Sequence, residues 1–458
     1  MDIYEKLILA ILRKFKNGQL EIEMPTSRKI LIGDVGPDDE KAMIATGAVK
    51  NSDNSRNSNN VLKQSSLSAV KPYNKRKKSM LKTIPSMTIT DRRFFKRVAL
   101  YGDIGFGEAY VNGWWHTDDV KEVLSFFIGN WPQFSTTAVY RKPYMLVINA
   151  FSVFIRFRHY LKRNTIKQAK KNIADHYDIS NQFFQFILDK SMTYSSAFFK
   201  EAKFSLHQAQ IAKYDRLCRE AGISKGDHVL EIGSGWGGFA EFAASRYGCK
   251  VTSITISEEQ FNYSTKRIKK TTLRNRVHYE LIDYRKIKGA FDKIVSIEMI
   301  EAVGAQYLRE FFLCCHRLLK PNGVFALQAI VCPDFKFAST KKGADWIQRY
   351  IFPGSFIPSI HALLDSVVNE ETFFLYNLKD LGKDYARTLS LWCRNLKTNV
   401  KKLHQLGYDD SFIRKWEYYF KYCETGFETR YLSVVQMIFT RPGRPFLNQS
   451  LPRLASGS

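Results

Sequence analysis

The stretch VLEIGSGWGGFA (229–240) constrains the fold most. It sets an apolar strand, a cluster of glycines and the start of a helical pattern one after another. Gly233, Gly235, Gly237 and Gly238 let the backbone turn sharply and approach a ligand closely, and the free N–H groups of a helix N-terminus add donors. The surrounding chain keeps the same rhythm. HVLEI (228–232), KVTSIT (250–255), VHYEL (277–281), FDKIVSI (291–297) and GVFALQAI (323–330) read as short strands. Helical patterns over 236–247, 258–270 and 307–319 lie between them. Strands alternating with helices predict a parallel, doubly wound α/β sheet.

The loop alone is ambiguous, because 233-235-238 also satisfies the dinucleotide spacing G-x-G-x-x-G. Three further features favour S-adenosylmethionine (SAM). Glu231 stands two residues before Gly233, as in the E-x-G-x-G-x-G form. Asp283-Tyr284 follows the third strand, where an adenine-binding acid is expected. Leu319-Lys320-Pro321-Asn322-Gly323 opens the fifth strand, like the L-K-P-G-G turn of many methyltransferases. The second strand departs from that pattern, ending in Ser253-Ile254-Thr255-Ile256-Ser257 without an acid for ribose hydroxyls.

Charge bears on partners. Lys plus Arg number 70 against 44 Asp plus Glu, a net charge of +26 over 458 residues. Such a surface favours anionic partners, although a solvated lysine-rich surface explains the charge equally well. Seven cysteines, an odd number without zinc-ligand spacing, predict neither a disulfide scaffold nor a metal site and fit a reducing cytosol. No apolar run is long enough to span a bilayer, so the chain is read as cytoplasmic, lying on a membrane rather than crossing it. Residues 45–90 are Asn/Ser-rich and basic, with eight basic residues and no acid from Asn54 to Thr90, and are expected to be a disordered insertion. A second basic stretch, 141–174, holds nine Lys or Arg and no acid. Its apolar segment Tyr144–Ile155 fits an interfacial helix or a core helix equally.

From about residue 166 to 440 the chain resembles the family of cyclopropane-fatty-acyl-phospholipid and mycolic-acid cyclopropane synthases. The resemblance rests on NIADHYDISNQFFQFILDKSMTYSSAFF (172–199), the glycine loop, VTSITISEEQ (251–260), IDYR (282–285), IVSIEMIEAVG (294–304), YIFPGSF (350–356), KDYARTLSLW (383–392) and YYFKYCETGF (418–427), all in order. GFGEAYVNGWWHTDD (105–119) is similar to the N-terminal lipid-handling region of bacterial members. The implied architecture is a Rossmann-like methyltransferase sheet with helical additions at 166–445, a basic amphipathic connector at 131–165, and a smaller α+β lipid-handling domain at 1–130 that carries the insertion.

The implied reaction transfers a methylene group from SAM to a cis double bond of an unsaturated phospholipid acyl chain at an anionic membrane surface. Tyr194, Ser195, Glu231, the loop Gly233-Ser234-Gly235-Trp236-Gly237-Gly238, Thr255, Gln260, Asp283 and Tyr284 would hold SAM, with Thr255 and Gln260 replacing the ribose acid. Family members use bicarbonate as the base, held by backbone amides and by Glu, His and Tyr. Here Glu301 and Tyr385 match two of these, Ser196 stands at a family Cys, and Gln328 stands at the family His. Gln can donate a hydrogen bond but cannot carry a proton. Cys423 matches a family cysteine and reads equally well as a small buried hydrophobe. A lipid methyltransferase leaving a methyl or methylene branch without ring closure is the first alternative. An RNA methyltransferase is disfavoured because Ser296-Ile297-Glu298-Met299 replaces N/D-P-P-Y/W, and nucleic acid is not expected as a partner. A catalytically dead membrane-binding fold is disfavoured by the intact loop, Glu301 and Tyr385. A homodimer stays open.

Overall fold

A computed structural model describes residues 2–34, 84–130, 179–340, 345–368 and 373–443. The connector 131–165, the segment Tyr144–Ile155 and most of both basic stretches lie outside the described residues. The chain divides into two units, 1–96 with 114–135, and 97–113 with 136–458. The boundary falls inside the helix Arg93–Val111, which is interrupted at Gly102 (φ 58°, ψ −128°). Residues 97–113, expected in the N-terminal domain, group with the larger unit.

The smaller unit is α+β. Strands β1 (Gln19–Glu23), β2 (Lys29–Gly33), β3 (Ser86–Ile89) and β4 (Trp115–His116) form a sheet in the order β2-β1-β3-β4. β1 and β2 pair as an antiparallel hairpin, and β3 runs parallel to β1. Leu20, Ile22, Met87, Ile89 and Trp115 bury one face. Residues 84–90, expected within the disordered insertion, are therefore ordered at their end. Met87 and Ile89 alternate with Ser86 and Thr88 at the two-residue period of a half-buried strand, enough to join an existing sheet.

The larger unit carries β5 (His228–Ile232), β6 (Lys250–Thr255), β7 (Val277–Leu281), β8 (Phe291–Ile297), β9 (Leu319–Val331), β10 (Phe374–Asp380) and β11 (Ser433–Thr440). Their order is β10-β11-β9-β8-β5-β6-β7. The first five are parallel, as expected, and four of the five residues of β5 are buried, as in a sheet covered on both faces. β11 is antiparallel to both neighbours, so the sheet is mixed. The segment 382–428, which is mostly helical, is followed by this strand. SVVQMIFT is a β-branched and apolar run, and all but its first residue are buried.

Helices cover the sheet where local signals place them. Ser205 and Gln208 form a capping box on Leu206–Glu220. Ser257 caps Glu258–Lys269, which has acids in its first turn and Lys266, Arg267 and Lys269 in its last, matching the helix dipole. The helix after the glycine loop begins at Gly238, two residues later than the sequence pattern suggested, because Gly237 holds a left-handed φ of 88°.

Candidate active site

Strand order reverses beside β5, and ligands bind at such a point beyond the carboxyl ends of the strands. A cavity of about 550 Å3 opens there. Its wall takes Glu231 and Ile232 from β5, Thr255 from β6, Ile297 from β8 and Ile330 from β9, together with Gly233, Ser234, Gly235, Trp236 and Gly238.

The glycines have different duties. A Cβ on Gly237 would lie 2.4 Å from the Tyr279 hydroxyl, and one on Gly238 would lie 2.8 Å from the Ser191 carbonyl and the Tyr214 hydroxyl. Gly235, at φ 49°, has no atom within 4 Å of that position. Two glycines are thus needed for packing, and one borders open space. The Gly233 and Ser234 N–H groups donate to the Ile254 carbonyl at 3.0 and 2.9 Å, pinning the loop to the end of β6.

Apart from Gly237, the groups expected to hold SAM line this cavity. Thr255 donates to Gln260 Oε1 at 2.9 Å, and its hydroxyl accepts from the Ser257 N–H, so the pair is rigid. Asp283 accepts from Arg285 through Nε at 2.8 Å and Nη2 at 2.7 Å. Burial would raise the Asp283 carboxyl, but Arg285 outweighs it and holds the group below its ordinary value. The buried Tyr284 hydroxyl has no hydrogen-bond partner among the described residues. Trp236 donates to Asn181 Oδ1 at 2.6 Å and packs on Phe184. Ser195 accepts from Lys213 Nζ at 2.6 Å.

Glu231 sits opposite Ser253 in the β5–β6 register and accepts its hydroxyl proton at 2.5 Å. Burial pushes its carboxyl up to about 8, and the same cause, reinforced by Glu298, takes Glu301 up to about 8. These raised values make stability depend on pH in a definite direction. The unfolded chain loses these protons near its ordinary value of 4.5, whereas the folded chain keeps them to about 8. Their stabilising contribution is complete below the unfolded value and is lost as pH rises through the folded one. The ligand-free protein is expected to melt at a lower temperature at about pH 9 than at about pH 6, and Glu231→Gln should flatten that slope. Calorimetric melting across this range is the check. An equal slope in the variant would contradict the assignment.

The reaction end of the cavity is crowded with acids and rings. Glu301 Oε1 accepts the Ile330 N–H at 2.5 Å, and its buried Oε2 has no hydrogen-bond partner among the described residues. Tyr194, Phe352, Tyr385, Tyr419, Tyr422 and Phe427 line the wall, and the Tyr194 hydroxyl donates to that of Tyr419 at 3.0 Å. Tyr385 packs on Phe427 with ring centroids 4.6 Å apart. Cys423 is on the wall as well, but burial drives its thiol far above the ordinary value, which disfavours a thiolate.

Three of the groups expected to hold bicarbonate, Ser196, Gln328 and Tyr385, are otherwise engaged. Glu298 Oε1 accepts the Ser196 N–H at 2.9 Å and Gln328 Nε2 at 2.7 Å, and Tyr385 is a further hydrogen-bonding partner of Glu298. Gln436 from β11 donates to Gln328 Oε1 at 2.9 Å and fixes the amide. Ser196, Gln328 and Tyr385 therefore surround a carboxylate of the chain itself, and the site does not fit bicarbonate. Glu298 and Lys213 were not picked out as site residues from the sequence. Lys213 is fully buried among Glu298, Asp189 and Glu231, with burial pulling its ammonium down and the three acids opposing this. One signal was available for it: Gln210, Lys213, Tyr214 and Leu217 form one apolar-spaced stripe, and all four are buried.

A mixed α/β sheet with five parallel strands and a glycine-turn cavity at its switch point, with acids and aromatic rings at the cavity's far end, defines a SAM-dependent methyltransferase. Its family follows from comparison: the chain belongs to the mycolic acid cyclopropane synthetase family, whose model matches residues 164–437. It is 37% identical over 358 residues to a tuberculostearic acid methyltransferase of Mycobacterium tuberculosis, covering 76% of this chain and 82% of that one. It is 32% identical over 362 residues to the cyclopropane-fatty-acyl-phospholipid synthase of Escherichia coli K12, covering 76% and 86%. Among solved structures, a mycolic acid cyclopropane synthase complexed with SAH and CTAB superposes with a TM-score of 0.56 at 29% identity, covering 59% of this chain and 98% of the other. The enzyme is thus a lipid-modifying methyltransferase of the cyclopropane synthase type.

Proposed function

We propose that the enzyme adds one carbon from SAM to the cis double bond of an unsaturated phospholipid acyl chain. The observation that carries this reading is the continuous cavity joining the glycine loop to Glu298, Glu301 and the ring-lined wall. Gly233 to Gly238, Thr255, Gln260, Asp283 and Tyr284 would hold the cofactor, with Tyr194, Ser195 and Trp236 at its edge. When bound, SAM supplies an electrophilic methyl group. The faces of Tyr194, Phe352, Tyr385 and Phe427 stabilise positive charge developing on the acyl chain, and the dry wall keeps water from trapping it.

A second reading, a methyl or methylene branch without a ring, is favoured by the likeness to the tuberculostearic acid methyltransferase. The net charge of +26 suits an anionic bilayer surface, where the acyl substrate lies. Among the described residues no helix is long and apolar enough to cross a membrane. A peripheral, cytoplasmic enzyme is the corresponding proposal.

The test is expression in a host lacking this activity, fed methyl-labelled methionine, with mass spectrometry and NMR of the fatty acids. Labelled acyl chains heavier by one CH2 are expected. NMR separates a cyclopropane from an isomeric methylene branch. Label confined to RNA, or absent from lipid, would overturn the reading.

A further inference from the structure

We propose that the base of this reaction is built into the chain, and that it is the Glu298 carboxylate standing where relatives would hold bicarbonate. This rests on the acyl-chain reading above. Three observations lead to it. First, the donors are taken: the Ser196 N–H and the Gln328 amide converge on one oxygen of Glu298, and Tyr385 joins them. An exchangeable anion would have to displace the carboxylate from these groups.

Second, the backbone at Glu298 is held in an unfavourable conformation. Its φ is 49°, in the left-handed region that glycine enters freely and a side-chain-bearing residue enters at a cost of about 1–2 kcal/mol. Its N–H donates to the Gln328 carbonyl at 2.8 Å, which holds the turn in place and directs the side chain to the cavity wall. Third, charge forbids an additional anion. Glu298 already raises the neighbouring Glu301 carboxyl, and a bicarbonate beside both would add a third acid to a poorly solvated space. Lys213 is the buried cation that opposes the cost of Glu298.

The step balances without any other reactant. Once the double bond has used its π pair to bond the incoming methyl carbon, whose bond to the sulfonium sulfur of SAM breaks with its pair staying on sulfur, the adjacent acyl carbon is a cation. Glu298 takes one proton from the added methyl, and the released C–H pair closes the three-membered ring. If a hydride first shifts from the methylated carbon to its cationic neighbour, the same proton loss leaves a methylene branch on the open chain instead. In both cases the lipid leaves neutral and Glu298 is left as a carboxylic acid, which returns its proton to solvent before the next turnover.

The experiment uses the full chain, vesicles of unsaturated phospholipid and methyl-labelled SAM, in buffer freed of carbon dioxide or supplemented with bicarbonate. Wild-type turnover is expected to be the same in both. Glu298→Gln and Glu298→Gly should each lose about 100-fold or more in carbon-dioxide-free buffer, with SAM binding by calorimetry retained. Bicarbonate should restore part of the rate to Glu298→Gly, whose donors are vacated, and none to Glu298→Gln. A wild-type enzyme that is silent without bicarbonate and active with it overturns the proposal whatever the variants do. So does a Glu298→Gln variant of near-normal rate. A wild-type enzyme that labels no lipid in either buffer defeats the acyl-chain reading instead.

Discussion

Gly235→Val is expected to remove measurable SAM binding while the protein stays folded. No atom lies within 4 Å of where a Cβ on Gly235 would stand, and the residue borders the cavity. A valine there meets no protein atom and projects into the space a ligand must use. The left-handed φ of 49° adds a conformational cost of about 1–2 kcal/mol, which lowers the melting temperature by several degrees without unfolding the chain. Affinity should fall by about 100-fold or more, equivalent to at least about 2.7 kcal/mol. Gly237→Ala is the control, since its Cβ would meet the Tyr279 hydroxyl at 2.4 Å and should damage folding itself. Calorimetric titration with SAM, paired with circular dichroism, reads both effects. Unchanged affinity in Gly235→Val would refute the placement of the cofactor.

Lys213→Met should abolish most turnover at neutral pH and recover some of it as the solution becomes more alkaline. Lys213 is the cation that lowers the Glu298 carboxyl against the effect of burial. Removing that nearby charge leaves the buried carboxylate less compensated, and the carboxyl answers by holding its proton. A protonated Glu298 cannot accept another. The pH at which half the maximal rate appears should therefore move upward in the variant, with a rate loss of about 100-fold near pH 7. A merely structural lysine would lower the rate equally at every pH. The pH–rate profile of the variant, read beside its thermal melt, separates the two.

Much of this arrangement was readable beforehand, and the reasons differ by residue. The five parallel strands and the loop were visible because each is a short local signal: an apolar run, then glycines, then a helical period. β11 was not, since SVVQMIFT follows a long helical stretch and owes its place to β9 and β10, more than 50 residues earlier in the chain. Glu298 lay in plain view inside IVSIEMIEAVG, three residues before the Glu301 that drew attention. What could not be read was its φ. Only the folded turn shows that the backbone twists there and sends the carboxylate toward Ser196 and Gln328. Asp283 lines the cavity, and its pairing with Arg285, two residues on, makes it a neutralised group rather than a bare acid.

The position of β11 also sets a timetable. The strand is the last described in sequence, yet it lies between β10 and β9 and brings Gln436 up behind Gln328. A ribosome delivering this chain exposes β5 through β10 while the gap between β9 and β10 is still empty. Until β11 emerges, β9 presents an unpaired edge, the kind of surface that recruits wrong strands and chaperones. The amide that steadies Glu298 is absent for the same interval. Catalytic competence is thus reached only once β11 has joined the sheet, by an event of large sequence separation and correspondingly slow closure.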